Sequence, residues 1–127
     1  MKKLFISVPM KNRTEEAIRN SMAKMKKIAE AYEGEELELI ESYIEDNPPK
    51  DGHTSIWYLS KSLEKLANAD VFITIDEHYE WDGCYIEHEA ARRYGIKVYR
   101  VDCRGVMEDW KEIQDKMYNT PIVCSER

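Results

Sequence analysis

Short apolar segments alternate along the chain with longer segments of helical periodicity. Four apolar segments are predicted as strands: Lys3–Ser7, Leu37–Ser42, Val71–Ile75 and Ile96–Val101. Between them, apolar residues recur every three or four positions, as they do on one face of a helix. The predicted helices begin at Thr14, at Thr54 or Ser55 and at Asp82 or Gly83, and a last one covers Val106–Met117.

The regular alternation of strand and helix predicts an α/β fold, in which a doubly wound parallel sheet carries helices on both faces. Because crossovers between parallel strands are right-handed, we expect a three-layer, flavodoxin- or Rossmann-like domain with strand order 2-1-3-4. Ile122-Val123, beyond Pro121, could add a fifth element at an edge. A chain of 127 residues is long enough for one core, so residues 1–127 are predicted to form a single domain.

The predicted strand order indicates where a ligand would bind. The order reverses between the first and third strands, and open α/β sheets bind ligands there, beyond the carboxyl ends of the strands. The topology therefore predicts that Ser7-Val8-Pro9-Met10 and the turn Asp82–Glu87 line one cleft, with Glu87 pointing into it. Ser7 and the Pro9-Met10 turn are candidates to frame a sugar, although Ser7 could also be an ordinary serine at a strand end.

Composition narrows the range of partners. A net charge of −6 and an isoelectric point near 5.2 argue against polymeric nucleic acid, which requires clustered basic charge. No apolar run approaches the length of a membrane span, so no membrane partner is expected. The three cysteines, Cys84, Cys103 and Cys124, cannot all pair within one chain, and a reducing cytoplasm is the simplest setting. The sequence indicates no cofactor and no metal site, and its three histidines are predicted to lie at the surface.

Glu87 is the strongest candidate for chemistry. It follows the third strand and an acidic, aromatic loop, about one turn into a helix. A glutamate held there on a rigid element can attack a sugar carbon, and the helix amino terminus would favour its ionised form. The alternative is a solvated first-turn glutamate, which the helix dipole favours for the same reason.

Displacement at a sugar carbon also requires an acid or a hydrogen-bond donor at the departing group. Asp76, directly after an apolar strand, is the better candidate for a pKa raised by partial burial. Asp82 is either a second candidate or a helix N-cap. Tyr79 and Trp81 either stack on a base or cover an edge of the core. Cys84, at a helix start, could have a lowered pKa, although the sequence specifies no base partner for it.

Taken together, these segments resemble the nucleoside 2-deoxyribosyltransferase superfamily, and within it a small branch common in bacteriophage and prophage genomes. The resemblance extends over about residues 3–101. It rests on the order and spacing of four segments: Phe5–Met10, Leu59–Leu63, Ala69-Asp70, and Trp81–Glu87 followed by Ala91.

The resemblance implies roles for particular residues. In the transferases, the glutamate of a Gly-x-x-x-Glu segment attacks the anomeric carbon of a deoxynucleoside, and Gly83 and Glu87 match that spacing. Two positions depart from the pattern. Trp81 stands where the transferases place an aspartate six residues before the nucleophile, and Ser62 stands where they place a second aspartate.

The resemblance implies an enzyme that cleaves the N-glycosidic bond of a deoxynucleoside or its 5′-monophosphate, by deoxyribosyl transfer or by hydrolysis. The superfamily contains enzymes of both kinds. The two departures leave a second class open, namely a non-catalytic nucleotide-binding module such as a phage-encoded binder of a nucleotide signal. In either class the ligand is a small nucleoside or nucleotide, with Ser7, Ser62, Gly83 and Cys84 among its expected contacts.

An oligomer is expected on similar grounds. A four-strand domain offers only a shallow cleft, and excluding water from an oxocarbenium-like centre requires a lid. Loop 43–54 could cover the cleft of its own chain, whereas the tail beyond Pro121 could cover that of a neighbour, as carboxyl-terminal segments do in the transferases. We therefore expect a homodimer or a higher homo-oligomer, since closed symmetry is the usual arrangement.

Overall fold

The structure, a computed structural model, describes residues 1–10, 12–41, 48–76 and 82–118, with the backbone alone at positions 82, 114 and 116–118. Its strands are β1 (Lys3–Ser7), β2 (Glu38–Leu39), β3 (Val71–Ile75) and β4 (Lys97–Val101). Its helices are α1 (Glu15–Glu33), α2 (Thr54–Leu66), α3 (Asp82–Arg93), α4 (Cys103–Val106) and α5 (Trp110–Tyr118).

The four strands form one parallel sheet in the order β2-β1-β3-β4. The predicted fold class and strand order are therefore confirmed. β1 and β3 are the two central strands, and their register pairs Leu4 with Val71 and Ser7 with Thr74. The segment Ile122-Val123, considered as a fifth element, lies outside the described residues, as does part of loop 43–54.

Side chains of the central strands alternate between two hydrophobic layers, as the pleat of a strand requires. On one face, Leu4 and Ile6 pack with buried residues of α1, α4 and α5. On the other face, Phe5 packs with Phe72 and with buried residues of α2 and α3. The rings of Phe5 and Phe72, which are neighbours in register, stack with centroids 5.9 Å apart. The domain thus has three layers, with the central strands β1 and β3 between the two sets of helices.

The ends of α1 agree with the predicted signals. The Thr14 hydroxyl accepts a hydrogen bond from the Ala17 amide at 3.1 Å, and Gly34 ends the helix with φ of 72°. That positive φ is favourable for glycine and costly for other residues. The start of α2 differs slightly from the prediction: its N-cap is His53, so Thr54 is already helical.

Two predicted elements have different bounds in the structure. β2 ends at Leu39, because this edge strand pairs only with the first residues of β1. The single helix predicted over Val106–Met117 is two helices, α4 and α5. The chain leaves helical geometry at Met107, whose side chain is buried in the core together with that of Val106. None of the described helices is both long and apolar enough to cross a membrane.

A charged cluster fixes the amino edge of the sheet. The Glu33 side chain, at the end of α1, is only 2% exposed and accepts hydrogen bonds from Lys97 Nζ at 2.7 Å, from Lys2 Nζ at 3.1 Å and from the Tyr99 hydroxyl. These three donors lower the pKa of Glu33 to about 2. The cluster ties α1 to the beginnings of β1 and β4, at the edge opposite the predicted cleft.

Glu33→Gln is expected to lower the free energy of unfolding by about 2 kcal/mol at pH 7, because charge-assisted hydrogen bonds are lost. The folded-state pKa of Glu33 lies below its ordinary value of 4.5, so the stabilisation is complete above that value and is lost as the pH falls through the folded pKa. Urea unfolding from pH 7 to pH 2 measures the effect. Glu36→Gln, at an exposed position, is the control. A Glu33→Gln deficit that stayed constant down to pH 2 would contradict the electrostatic explanation.

Candidate functional site

The parallel pairing of β1 with β3 brings two distant segments together at the carboxyl edge of the sheet. Ser7, the last residue of β1, donates a hydrogen bond from its hydroxyl to Glu87 Oε1 at 2.7 Å. Glu87 lies in the second turn of α3, and both side chains are buried, Glu87 at 9% exposure. The structure therefore places Glu87 inward, against the end of β1, and the solvated-glutamate alternative is wrong.

A second hydroxyl, that of Ser62 on α2, lies near the same carboxyl group and lowers its pKa. α2 and α3 lie side by side on one face of the sheet. The Glu87 carboxyl group is thus hydrogen-bonded to Ser7 of β1 and has Ser62 of α2 beside it. Ser62 is the residue that stands where the resembled transferases have an aspartate, so the described site has a neutral donor at that position.

Burial dominates the electrostatics of Glu87. Removal from water raises the pKa of its carboxyl group to about 7, and the hydroxyls of Ser7 and Ser62 keep it from rising further. We expected the helix amino terminus to keep Glu87 ionised. That expectation is wrong, because burial has the larger effect on the pKa of Glu87. At neutral pH the carboxyl group exists in both protonation states, each in a substantial fraction.

Cys84 lies one helical turn before Glu87 and is also buried. Burial and the nearby Glu87 carboxylate raise the pKa of its thiol to about 12, although the Ser7 hydroxyl and the charge of Arg13 act in the opposite direction. The lowered pKa considered for a cysteine at a helix start is therefore wrong. A thiol with so high a pKa is almost wholly protonated at neutral pH and is a poor nucleophile.

The loop after β1 turns from the core to the surface within a few residues. Val8 and Pro9 are buried, and Met10 is 45% exposed. Near the start of α3, Gly83 is exposed, and an added Cβ there would meet none of the described atoms within 4 Å. Packing within the described part of the chain therefore does not require glycine at position 83.

The remaining candidates fall in or next to the segment that follows β3. Asp76 directly follows the last residue of β3 and is exposed, while its amide donates to the Val101 carbonyl at 2.7 Å. The partial burial expected for Asp76 is therefore wrong, because the chain leaves the sheet at this residue. Tyr79 and Trp81 lie outside the described residues, and so does the side chain of Asp82, whose backbone begins α3.

His88 is a buried residue that the sequence analysis placed at the surface. It is 3% exposed, its ring centroid lies 6.5 Å from that of Phe72, and its Nδ1 lies 3.1 Å from Glu89 Oε2. The sequence spacing does predict the burial of His88, because His88 follows Cys84 by four residues and precedes Ala91 by three. All three therefore lie on the inward face of α3.

Arg13 is a second residue that the sequence analysis missed. Its side chain is fully buried and donates to the Pro9 carbonyl, in the loop that carries the candidate sugar contacts, and to the Asp109 carboxylate between α4 and α5. Arg13 precedes the α1 N-cap and belongs to no periodic pattern. Hydrophobic spacing therefore gives no signal for its burial.

A separate groove of about 330 Å³ lies where the start of α1 faces the segment leading into α5. Its lining is mainly acidic: Thr14, Glu16, Ala17, Asn20, Glu108, Asp109 and Glu112. None of these residues belongs to the cluster around Glu87. Within the described part of the chain, no group of three His, Cys, Asp or Glu side chains is arranged to hold a metal ion.

The cluster of Ser7, Ser62 and Glu87 has a defined chemical capability. When ionised, the carboxylate can act as a nucleophile or stabilise a cationic carbon; when protonated, it can donate a proton. No protein-family model matches the chain, and neither a curated protein nor a solved structure is significantly similar to it. The assignment of a function therefore depends on the geometry of this cluster and on the resemblance carried by the sequence segments.

Proposed function

We propose that the protein cleaves the N-glycosidic bond of a deoxynucleoside or its 5′-monophosphate, with Glu87 as the nucleophile. The observation that supports the proposal is a buried carboxyl group, hydrogen-bonded to the Ser7 hydroxyl and near that of Ser62, beside the point where the strand order reverses. Doubly wound sheets bind ligands at that point. The resemblance to the nucleoside 2-deoxyribosyltransferase superfamily supplies the reaction class.

The reaction would proceed in two displacements. As the bond between C1′ and the base nitrogen breaks, its electron pair leaves with the base, which takes up a proton from solvent, and C1′ acquires oxocarbenium character. A Glu87 oxygen then forms an ester bond to C1′. In the second step, the nitrogen of another base or a water molecule attacks C1′, loses a proton to solvent and releases the carboxylate. A base as acceptor gives transfer, and water gives hydrolysis.

The two serines have a clear function in this scheme. Both hydroxyls stabilise the ionised form of Glu87, since each lowers the pKa of the carboxyl group. The hydrogen bond from Ser7 also fixes the orientation of the carboxyl group, so that one oxygen can be aimed at C1′. The ionised fraction of Glu87 grows as the pH rises through about 7, and kcat/KM in this scheme rises with it.

A non-catalytic nucleotide-binding module is the second candidate, and a specific observation favours it. The described site has a serine at position 62 where the transferases have an aspartate, and Asp76 is exposed rather than placed in a protected pocket. A binder of a nucleotide signal needs hydroxyls and a shaped cleft but no acid for the departing base. A phage-encoded protein of this kind would act in the cytoplasm of a bacterial host.

Incubation with a panel of deoxynucleosides and their 5′-monophosphates distinguishes the two functions. Chromatography detects free base, and addition of a second base detects transfer. Release of base from at least one compound is expected. Binding of a nucleotide by calorimetry without release of base from any compound would favour the binding module, and neither binding nor release would contradict both.

We also infer that the protein forms a homodimer or a higher homo-oligomer. Several large apolar side chains on the first turns of α2 and α3 are exposed, namely Ile56, Tyr58, Tyr85 and Ile86, and burial against a second copy would remove them from water. Light scattering at micromolar concentration is expected to give at least twice the 15.0 kDa of one chain. A monomer mass that nucleotide does not change would contradict this inference.

A further inference from the structure

Arg13 is a buried cation whose guanidinium lies within hydrogen-bonding distance of five acceptor atoms, three of which share the two hydrogens of Nη2. It donates to Asp109 Oδ2 at 2.8 Å and Oδ1 at 3.0 Å, to the Pro9 carbonyl at 2.8 Å, to the Ala17 carbonyl at 3.2 Å and to the Ser21 hydroxyl at 2.6 Å. Its side chain is 0% exposed. A buried guanidinium is tolerated only when its donors and its charge are matched in this way.

The acceptors come from three separate parts of the structure. Pro9 belongs to the loop after β1, Ala17 and Ser21 belong to the first turns of α1, and Asp109 lies between α4 and α5. Arg13 therefore joins the loop after β1 to two elements of the layer on the other side of the sheet from Glu87. The two-pronged contact with Asp109 also fixes the plane of the guanidinium group.

The loop itself is constrained at both ends. At its beginning, the Ser7 hydroxyl is bonded to Glu87. Two residues later, the Pro9 carbonyl is bonded to Arg13, and the Arg13 amide closes a turn onto the Met10 carbonyl at 3.2 Å. Asn12 within this turn has a φ of 63°, a left-handed conformation that asparagine adopts more readily than most other non-glycine residues.

The geometry points to Arg13, clamped by Asp109, as a positioning residue that holds the Ser7–Met10 loop in register with Glu87. This inference rests on the proposed function, because it assigns Arg13 to the site at which Glu87 would act. Arg13 does not touch the reacting atoms in this account. It acts through Pro9 and Ser7, and the segment between α4 and α5 becomes part of the support of the site.

Arg13→Lys tests the inference because it keeps the charge and removes the geometry. A lysine offers a single ammonium group, which cannot make the two-pronged contact with Asp109 and also reach the carbonyls that the planar fork reaches. The loop is then expected to loosen and the Ser7–Glu87 hydrogen bond to weaken. Because that bond lowers the pKa of Glu87, the pKa is expected to rise above its wild-type value.

The pKa of Glu87 can be followed directly by NMR of protein labelled with ¹³C at glutamate carboxyl groups. The Glu87 signal is identified by its absence from the spectrum of Glu87→Gln. Asp109→Asn, nearly identical in shape to the wild type, is measured as a second variant in case Arg13→Lys does not fold. Glu108→Gln is the matched control, since it breaks the neighbouring exposed pair with Lys24 and does not touch Arg13.

The expected result is a higher Glu87 pKa in Arg13→Lys and in Asp109→Asn, with no change in Glu108→Gln. Where cleavage is observed, kcat/KM is expected to fall by about tenfold to a hundredfold in the two variants. A wild-type pKa of Glu87 in a folded Asp109→Asn protein would overturn the inference. The NMR measurement needs no substrate. A wild-type protein that neither binds nor cleaves nucleotides would refute the proposed function, but the effect of Arg13 on the pKa of Glu87 could still be measured.

Discussion

Glu87→Gln is expected to reduce base release by a thousandfold or more, on the order of the loss measured when other enzymes lose their nucleophile. An amide oxygen is too weak a nucleophile to form the ester with C1′, whereas its size and its capacity to accept hydrogen bonds from Ser7 and Ser62 are retained. Rates of base release from the best substrate of the panel, at several pH values, measure the effect. The wild-type kcat/KM is expected to rise with pH through about 7, the pKa of Glu87.

Glu64→Gln on the exposed side of α2 is the control for this substitution and should keep the wild-type rate. If wild type and Glu87→Gln release base at similar rates, Glu87 is not the nucleophile. If the wild type binds nucleotides and releases no base, the binding-module alternative holds, and Glu87→Gln then reports on affinity alone.

The second large effect concerns stability. Glu87→Gln is expected to be more stable than the wild type above pH 7, by up to about 3 kcal/mol. The folded-state pKa of Glu87 is raised from 4.5 to about 7, so between these values the folded chain holds a proton that the unfolded chain has lost. Stability of the wild type therefore falls as the pH rises from about 4.5 to 7. Because glutamine does not ionise, Glu87→Gln does not lose this stability as the pH rises.

Urea unfolding of both proteins between pH 4 and pH 8.5 tests this expectation. The two unfolding free energies should lie close together at pH 4 and separate progressively up to about pH 7. Glu64→Gln should run parallel to the wild type throughout. Parallel curves for wild type and Glu87→Gln would show that the carboxyl group is better solvated than its burial in the structure indicates.

Such a result would connect stability to function. A carboxylate buried at a cost to the folded chain is a common property of active sites, where groups are placed for chemistry and at the expense of stability. A gain in stability on removing the charge, together with a loss of base release, would therefore support the catalytic role of Glu87 by two independent measurements.

The central strands and the overall topology could be predicted from the sequence, and the reason is physical. β1 and β3 are buried on both faces, so they are continuous apolar segments with clear ends. Once the alternation of strand and helix is recognised, the handedness of crossovers leaves few arrangements. The position of Ser7 opposite Glu87 follows from that arrangement, even though they are far apart in the chain.

The charge state of Glu87 could not be predicted in the same way. The sequence shows only that Glu87 lies near the start of α3, and a helix amino terminus favours the ionised form of a carboxyl group. The opposing effect, desolvation, depends on how deeply the packing of α3 against the sheet and α2 buries the carboxyl group. Arg13 was missed for a related reason, because its role depends on Asp109, which lies far along the chain in a connection between two helices.

The place of β1 in the middle of the sheet has a consequence for how the protein is made. β1 precedes its neighbours β2 and β3 in the chain, so Leu4, Phe5 and Ile6 leave the ribosome long before Val71–Ile75, their partners in the core. Until β3 has been synthesised, β1 is an apolar strand with an open edge on that side, the kind of segment that aggregates or recruits a chaperone. Lys2 and Lys3, directly before this segment, place charge where protective residues are commonly found. Lys2 therefore combines an ion pair with Glu33 in the folded sheet with a charge beside the segment that stays unpaired longest during synthesis.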